Sequence, residues 1–473
     1  MTAVLKPDLC VIGGGSGGLT VAAGAAQMGA SVVLVEGHRM GGDCLNYGCV
    51  PSKSLIAAAG HAHAMRSGAP FGVAPVTPQV DYAAAKDHVA AVIAGIAPHD
   101  SVERFEGLGV TVIQGWARFV SPTRIAAGET MIEARRFVIA IGSAPLVPPI
   151  PGIEAVRVWT NEDIFTLRET PRHLIVIGGG PIGMEMAQAH RRLGCEVTVI
   201  EGAKVLGRED PDLADIAVER LRAEGVRLIE GAQADRVAAA GDGVAVTVGG
   251  ATVEGSHLLV AAGRRVNLSR LDADAGGITT TPAGVSVDRG LRSVSNRRVY
   301  AIGDAAGGMQ FTHLAGYHAG LVIRNALFGL PVTARTDHIP RVTFTDPELA
   351  QVGLTEAEAR RRHGDRVEVL RFGYDENDRA RAELRTEGVA KVMVVRGRPV
   401  GAGIVGAKAG ELIGLWSLAI GSGLKIGAIA GMVAPYPTLG EVSKRVAGRY
   451  YAPRLFRSDR VKAVVRLVQR WMP

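Results

Sequence analysis

Short apolar runs recur along the chain, each followed by a glycine-rich turn and then by a stretch with helical spacing. Residues 9–12 form one such run. Gly13-Gly14-Gly15-Ser16-Gly17-Gly18 follows, then an alanine-rich segment to Ala30 and a second apolar run, residues 31–35, closed by Glu36. The plan repeats from Leu174: residues 174–177, then Gly178-Gly179-Gly180-Pro181-Ile182-Gly183, a helix to Leu193, and residues 196–200 closed by Glu201. In both copies the acid stands 23 positions after the first glycine. Strand, turn, helix and strand in this order predict an α/β fold built on parallel sheets.

Each copy carries G-x-G-x-x-G between strand and helix: Gly13, Gly15 and Gly18 in the first, Gly178, Gly180 and Gly183 in the second. Such glycines permit a tight turn, let backbone approach a pyrophosphate, and let helix pack on strand. The helix N-terminus presents free N–H groups and the positive end of its dipole to phosphate. The closing carboxylates, Glu36 and Glu201, are placed to accept from a ribose 2′-hydroxyl. One copy is weak evidence; two copies with equal acid spacing predict that the chain binds two dinucleotides.

With 473 residues the chain is too long for a single core, and three domains of ordinary size are expected. Its net charge of +7 is unevenly spread: Arg454, Arg457, Arg460, Lys462, Arg466 and Arg470 against Asp459 give +5 at the C-terminal end, leaving +2 for the remainder. A nucleic-acid-binding surface is therefore not expected. Residues 1–8 carry no basic-then-apolar leader pattern, and no window of eighteen apolar residues escapes a charge or a glycine. Four cysteines do not make a disulfide-stapled secreted protein. A cytoplasmic location is the expectation.

Two of those cysteines lie in Gly41-Gly42-Asp43-Cys44-Leu45-Asn46-Tyr47-Gly48-Cys49-Val50-Pro51-Ser52-Lys53. Five positions apart on a regular helix, their Cα atoms would be roughly 8–9 Å apart, whereas a disulfide needs less than about 7 Å. An irregular backbone is expected here, and Gly41, Gly42 and Gly48 supply the freedom. Two unrelated thiols, half a metal site and a redox-active disulfide are the alternatives. Without a matching pair later in the chain a zinc site is disfavoured, and a redox disulfide beside a dinucleotide site is the better reading.

G-G-x-C-x-N-x-G-C-x-P-S-K after a dinucleotide fingerprint resembles the class I pyridine nucleotide-disulfide oxidoreductases, the family of dihydrolipoamide dehydrogenase, glutathione reductase and mercuric reductase. The resemblance spans residues 5–450. It is carried also by Phe137-Val138-Ile139-Ala140-Ile141-Gly142-Ser143-Ala144-Pro145, by residues 257–264 (H-L-L-V-A-A-G-R, with Gly263), by Val299-Tyr300-Ala301-Ile302-Gly303-Asp304, and by Val342-Thr343-Phe344-Thr345-Asp346-Pro347-Glu348.

The resemblance implies two Rossmann-like domains and an α+β dimerisation domain. An FAD domain (1–152 and 283–338) is interrupted by an NAD(P) domain (153–282), then come the interface domain (339–453) and a basic tail (454–473). It implies FAD at the first fingerprint, with Gly42, Gly142 and Asp304 contributing, and NAD(P)H at the second, with Gly263. Glu201 would repel a 2′-phosphate, which favours NADH, although Lys204 and Arg208 stand nearby in sequence. By the same resemblance Cys49 contacts the flavin, Cys44 attacks a disulfide or other thiol-reactive acceptor, Lys53 sits by the flavin and pairs with Glu185, and the protein is a homodimer whose active sites draw on both subunits. Lys53 also supplies the positive charge that a reactive thiolate requires.

The chain departs from the family near its end. Disulfide reductases carry a histidine before a proline there, with a glutamate five residues beyond; here the segment reads Pro435-Tyr436-Pro437-Thr438-Leu439-Gly440-Glu441. Tyr436, with an unperturbed pKa near 10, is a poor base at neutral pH but can donate a proton. Mercuric reductases also have tyrosine in this region, yet end in a vicinal cysteine pair, where this chain ends Arg470-Trp471-Met472-Pro473. A metal-ion reductase is thus the alternative. Cys10 and Cys195 are expected to be buried. His313 or His318 stands as a candidate substitute acid, and His61 and His63 as a poor metal pair. Finally Val461, Val464, Val465, Val468, Trp471 and Met472 share one helical face and Lys462, Arg466 and Arg470 another, the pattern of a helix that lies on a membrane surface or packs on its own dimer. A surface-tethered flavoprotein that reduces a quinone-type acceptor is the further alternative.

Overall fold

A computed structural model describes residues 4–472; Met1–Ala3 and Pro473, the outer ends of the leader and tail readings, lie outside the described residues. The chain forms two compact units, one made of the chain through Gly178 with Ala189–Gly202 and Ala232–Ala334, the other of Gly179–Gln188, Ala203–Gly231 and the chain from Arg335.

In the first unit, the apolar run Leu9–Ile12 is the central strand of a parallel five-stranded sheet in the order Val299–Ala301, Arg136–Ile139, Leu9–Ile12, Val32–Glu36, Val110–Gln114. Alternate residues face opposite sides of a strand, and here both sides are buried. Leu9 and Val11 pack with Val21, Ala22 and Ala25 of the helix Ser16–Gln27 and with Ala319, Val322 and Ile323 of the helix Thr312–Phe328. Cys10 and Ile12 point the other way, onto Phe119, Ile125 and Ile132. Two-sided burial explains why the strand reads as a continuous apolar run rather than an alternating one. A second parallel array sets His173–Ile177 between Glu196–Glu201 and His257–Val260, with Val158–Trp159 beyond. The two sequence repeats therefore fold alike, each as the centre of its own parallel sheet.

The second unit is built on an antiparallel sheet in the order Arg341–Thr343, Glu348–Gly353, Arg398–Gly406, Val389–Val395, Val367–Gly373. The helices Ala409–Gly421 and Glu441–Gly448 complete its core around Trp416, which is fully buried and donates from Nε1 to the Ser443 hydroxyl at 3.1 Å. Truncating such a residue to alanine costs about 3–5 kcal/mol. Lys391, on the strand Val389–Val395, is buried, but its ammonium is met by Asp210 (2.8 Å), Asp212 (2.9 Å) and Glu356 (2.7 Å). Removing Lys391 would leave three carboxylates facing one another without their cation, which is the costly case.

The tail forms the helix Asp459–Trp471, capped by Ser458, whose hydroxyl accepts from the Val461 N–H. Its apolar residues Val464, Val465, Leu467, Val468 and Trp471 are exposed, Trp471 at 81%. No helix among the described residues is long and apolar enough to cross a membrane.

Candidate active site

The first fingerprint closes as the sequence predicts. Gly13 has φ +109°, and a Cβ there would overlap the Ala140 carbonyl oxygen. Gly42 has φ +59° and brings its backbone so near Gly15 that a Cβ would stand 2.7 Å from the Gly15 Cα. Two glycine backbones facing each other at the start of a helix make a narrow cradle of the kind a pyrophosphate requires. Glu36, at the end of its strand, accepts from the Gly14 N–H (2.5 Å) and the His38 N–H (2.6 Å). The carboxylate is thus fixed at the rim of the turn by two backbone donors, and its remaining lone pairs are left for a ribose hydroxyl. These residues fit FAD. Asp304 follows the strand Val299–Ala301, accepts from the Ser143 hydroxyl at 2.5 Å, and has its carboxyl pushed above the usual range by burial. Gly142, with φ +64°, immediately precedes Ser143.

The dithiol segment is irregular, as its spacing requires. A short helix, Gly42–Asn46, carries Cys44; the chain breaks at Tyr47 and Gly48; and Cys49 starts the long helix Cys49–Arg66. Both cysteines are free thiols, Cys44 half-buried and Cys49 exposed in the single chain, whereas Cys10 and Cys195 are buried. Cys49 and Cys44 share a hydrogen bond that drives their acidities apart. The Cys49 thiol is lowered to about 6 by the Cys44 bond first, then by the Thr312 hydroxyl and the Lys53 ammonium, against burial and the Asp43 charge. Cys44 is raised, by the same bond and by burial. Of the two, Cys49 is the more acidic sulfur and Cys44 the one that donates to it. Cys49 also occupies the first position of an α-helix, where the dipole favours a negative charge.

Sequence reasoning missed Thr312. Its hydroxyl lies 3.3 Å from the Cys49 sulfur and it begins the helix Thr312–Phe328, so a second helix N-terminus meets the thiolate. Nothing local in the sequence marks it. Its neighbours His313 and His318 separate: His313 stacks on Phe311, while the buried His318 accepts the Gly303 N–H at Nδ1 and is lowered to about 4 by burial. His318 is neutral at pH 7 and holds backbone, so it is not the substitute acid. His61 and His63 lie on the helix Cys49–Arg66, and no cluster of three or more His, Cys, Asp or Glu side chains fit to hold a metal ion occurs among the described residues.

In the second fingerprint, Gly178 has φ +112° and a Cβ there would overlap the Ala261 carbonyl, repeating the Gly13 geometry. Gly180 has open space at its Cβ position, Gly183 lies within the helix Pro181–Arg192, and Gly263 has φ +130°. Glu201 ends its strand, as Glu36 does. Within the second unit, Lys204 is paired with Asp215 at 2.8 Å, and the buried Glu185 accepts the Phe344 N–H at 2.9 Å. Tyr436 is exposed and donates to an Asp378 carboxylate oxygen at 3.1 Å; that bond and the Asp378 charge raise its pKa. Glu441, buried at the start of its helix, faces Arg445 at 3.5 Å.

Residues 7–319 match the family model described as pyridine nucleotide-disulphide oxidoreductase, and residues 339–447 match the dimerisation domain of that family. Mercuric reductase from Lysinibacillus sphaericus is 33% identical over 447 residues, covering 93% of this chain and 82% of that protein. Dihydrolipoyl dehydrogenase from Bacillus subtilis (strain 168) is 31% identical over 449 residues, covering 92% and 96%. Among solved structures, LpdA from Mycobacterium tuberculosis superposes with a TM-score of 0.87 at 28% identity, over 94% of this chain and all of that one. The Cu(II) complex of the HOCl-induced flavoprotein disulfide reductase RclA from Escherichia coli gives 0.84 at 28%, over 94% and 99%.

Proposed function

Since the chain belongs to the class I pyridine nucleotide-disulfide oxidoreductases, FAD-dependent enzymes that oxidise NAD(P)H, we propose that Cys44 and Cys49 are its redox pair and that its acceptor is a small-molecule disulfide. One observation carries this: the Cys44 and Cys49 sulfurs share a hydrogen bond at the break between two helices, with the Thr312 hydroxyl 3.3 Å from the Cys49 sulfur. Gly13, Gly15, Gly18, Glu36, Gly42, Gly142 and Asp304 would hold FAD, which supplies the two electrons that return the disulfide to the dithiol. Gly178, Gly180, Gly183, Glu201 and Gly263 would hold the nicotinamide dinucleotide.

In the acceptor half-reaction Cys44 releases its proton to solvent, its sulfur attacks one sulfur of the acceptor, the acceptor S–S bond breaks, and the leaving thiolate takes a proton. The Cys49 thiolate then attacks the Cys44 sulfur, forming the Cys44–Cys49 disulfide and expelling the second sulfur as a thiolate, which takes a proton from solvent. Tyr436, kept protonated by Asp378, is assigned the proton that the first leaving thiolate takes, with Glu441 supporting the segment that presents it. We assign this site to a homodimer, on the strength of the dimerisation domain. The domain boundaries 1–152 with 283–338, 153–282, 339–453 and 454–473 remain our assignment.

NADH is proposed over NADPH. Glu201 closes the second strand, no arginine follows at Gly202 or Ala203, and Lys204 is already engaged by Asp215. A kcat/KM comparison tests this, with NADH expected to be the preferred substrate and the reverse preference contradicting it.

A thiophilic metal ion is the second acceptor reading, favoured by tyrosine in place of the family's histidine and by relatives named mercuric reductase. NADH oxidation with lipoamide, glutathione disulfide and Hg(II) in parallel separates the two: turnover with a disulfide supports the first reading, and turnover with Hg(II) alone replaces it.

The tail is proposed to rest on anionic lipid, because its apolar face is exposed and its other face carries Lys462, Arg466 and Arg470. Flotation with phosphatidylglycerol vesicles, with and without residues 454–473, tests this; binding that survives the deletion, or none, removes the proposal.

A further inference from the structure

Asp43 precedes Cys44 on the short helix Gly42–Asn46 and is folded back toward Cys49, so close that a Cβ on Gly48 would meet its Oδ2 at 2.8 Å. Its Oδ1 accepts from Asn161 Nδ2 at 3.0 Å, and the same nitrogen donates to the Tyr47 carbonyl at 3.2 Å. One buried amide thus ties both ends of the loop that separates the two cysteines. Oδ1 also lies 3.1 Å from the Arg264 guanidinium, which is only 13% exposed. Arg264 in turn donates through Nε to the Ser143 hydroxyl (2.8 Å) and through Nη2 to the Ser143 carbonyl (2.6 Å), and that hydroxyl donates to Asp304. Arg264 therefore pairs directly with Asp43 and reaches Asp304 only through the Ser143 hydroxyl.

We propose that Asp43 is a positioning residue that closes the 44–49 loop through Asn161, and that the Asp43–Arg264 pair sets how readily Cys49 holds a negative charge. The titratable groups acting on Cys49 are the Cys44 thiol, the Lys53 ammonium and the Asp43 carboxylate, with the Thr312 hydroxyl as a neutral donor. Asp43 is the one negative charge among them, and Arg264 is its counter-ion. Without Arg264 the carboxylate would oppose the thiolate at full strength. Without Asp43 no carboxylate among these groups would oppose the thiolate, and Arg264 would add to the positive charge of Lys53.

This rests on Cys44 and Cys49 being the redox pair, but its test needs no acceptor, so a protein without disulfide turnover still returns an answer. In the FAD-loaded Cys44→Ser protein, the pH dependence of iodoacetamide alkylation at Cys49 is followed by mass spectrometry of its peptide. Adding Asp43→Asn is expected to lower the midpoint by on the order of half a pH unit, and adding Arg264→Gln to raise it by a similar amount. Opposite signs are the mark of a charge effect, because loosening the loop would move both variants the same way. A midpoint unmoved by Asp43→Asn, or two shifts of the same sign, overturns the proposal. Should Asp43→Asn fail to retain FAD, Asp43→Ser removes the same charge and carries the same expectation.

Discussion

Thr312 Oγ1 stands 3.3 Å from Cys49 Sγ although 263 positions separate the two residues in the chain. The contact is made because the helix Thr312–Phe328 packs on the helix Ser16–Gln27, through Ala319, Val322 and Ile323 against Val21, Ala22 and Ala25. Core packing thereby delivers a hydroxyl and a helix N-terminus to a sulfur that carries charge. Thr312→Val keeps the shape and removes the donor. The Cys49 midpoint, measured by alkylation of the reduced protein, should rise from about 6 by roughly half a unit to one unit. An unchanged midpoint would show that the hydroxyl does not serve the thiolate.

Tyr436 donates to Asp378, and the carboxylate keeps its proton on. A tyrosine held this way is an acid and no base at pH 7, so disulfide turnover should climb with pH as the Cys44 thiol loses its proton unaided. Tyr436→His should raise turnover at pH 7 by about tenfold or more, within the range a positioned base contributes. Tyr436→Phe should lower it. Steady-state rates from pH 6 to 9 check both, and a pH-independent wild type would contradict the assignment.

Gly42→Ala tests the cradle. At φ +59° the new methyl is strained and would press within 2.7 Å of the Gly15 Cα, so the two backbones must part. The purified variant should retain less than about a tenth of the wild-type FAD, read from its visible absorbance. Full retention would place the flavin elsewhere.

Both fingerprints were legible because turn, strand and acid are local: Gly13 and Glu36 lie within one strand–helix–strand unit, and Gly178 repeats the Gly13 conformation. The break between Cys44 and Cys49 was legible too, since five positions on a helix cannot close a disulfide. Thr312, Asn161 and Arg264 were not, because each reaches the dithiol through tertiary packing that no periodicity encodes. His318 misled for the same reason. From the sequence it is a histidine near a flavin motif; in the fold its ring is buried with Nδ1 committed to the Gly303 N–H.

That burial has a consequence in acid. The folded-state pKa of His318, about 4, lies below the ordinary value of 6.5, so between those values the unfolded chain binds the proton and the folded one does not. Stability should therefore fall as pH drops through this window, with a slope of at most about 1.4 kcal/mol per pH unit and less where solvent reaches the ring. His318→Gln keeps an acceptor and cannot titrate. Urea midpoints from pH 7 to 4 should show a shallower acid loss in the variant; parallel curves would refute the linkage.

In the proposed cycle electrons leave through Cys44. NADH oxidation with lipoamide, compared between the wild type and Cys44→Ser at matched FAD content, tests it most directly. The variant should lose turnover by a factor of about a thousand or more while NADH still bleaches its flavin, because the nicotinamide half-reaction does not need that thiol. Lipoamide turnover that persists in Cys44→Ser would contradict the account, and the acceptor would have to be sought away from the dithiol.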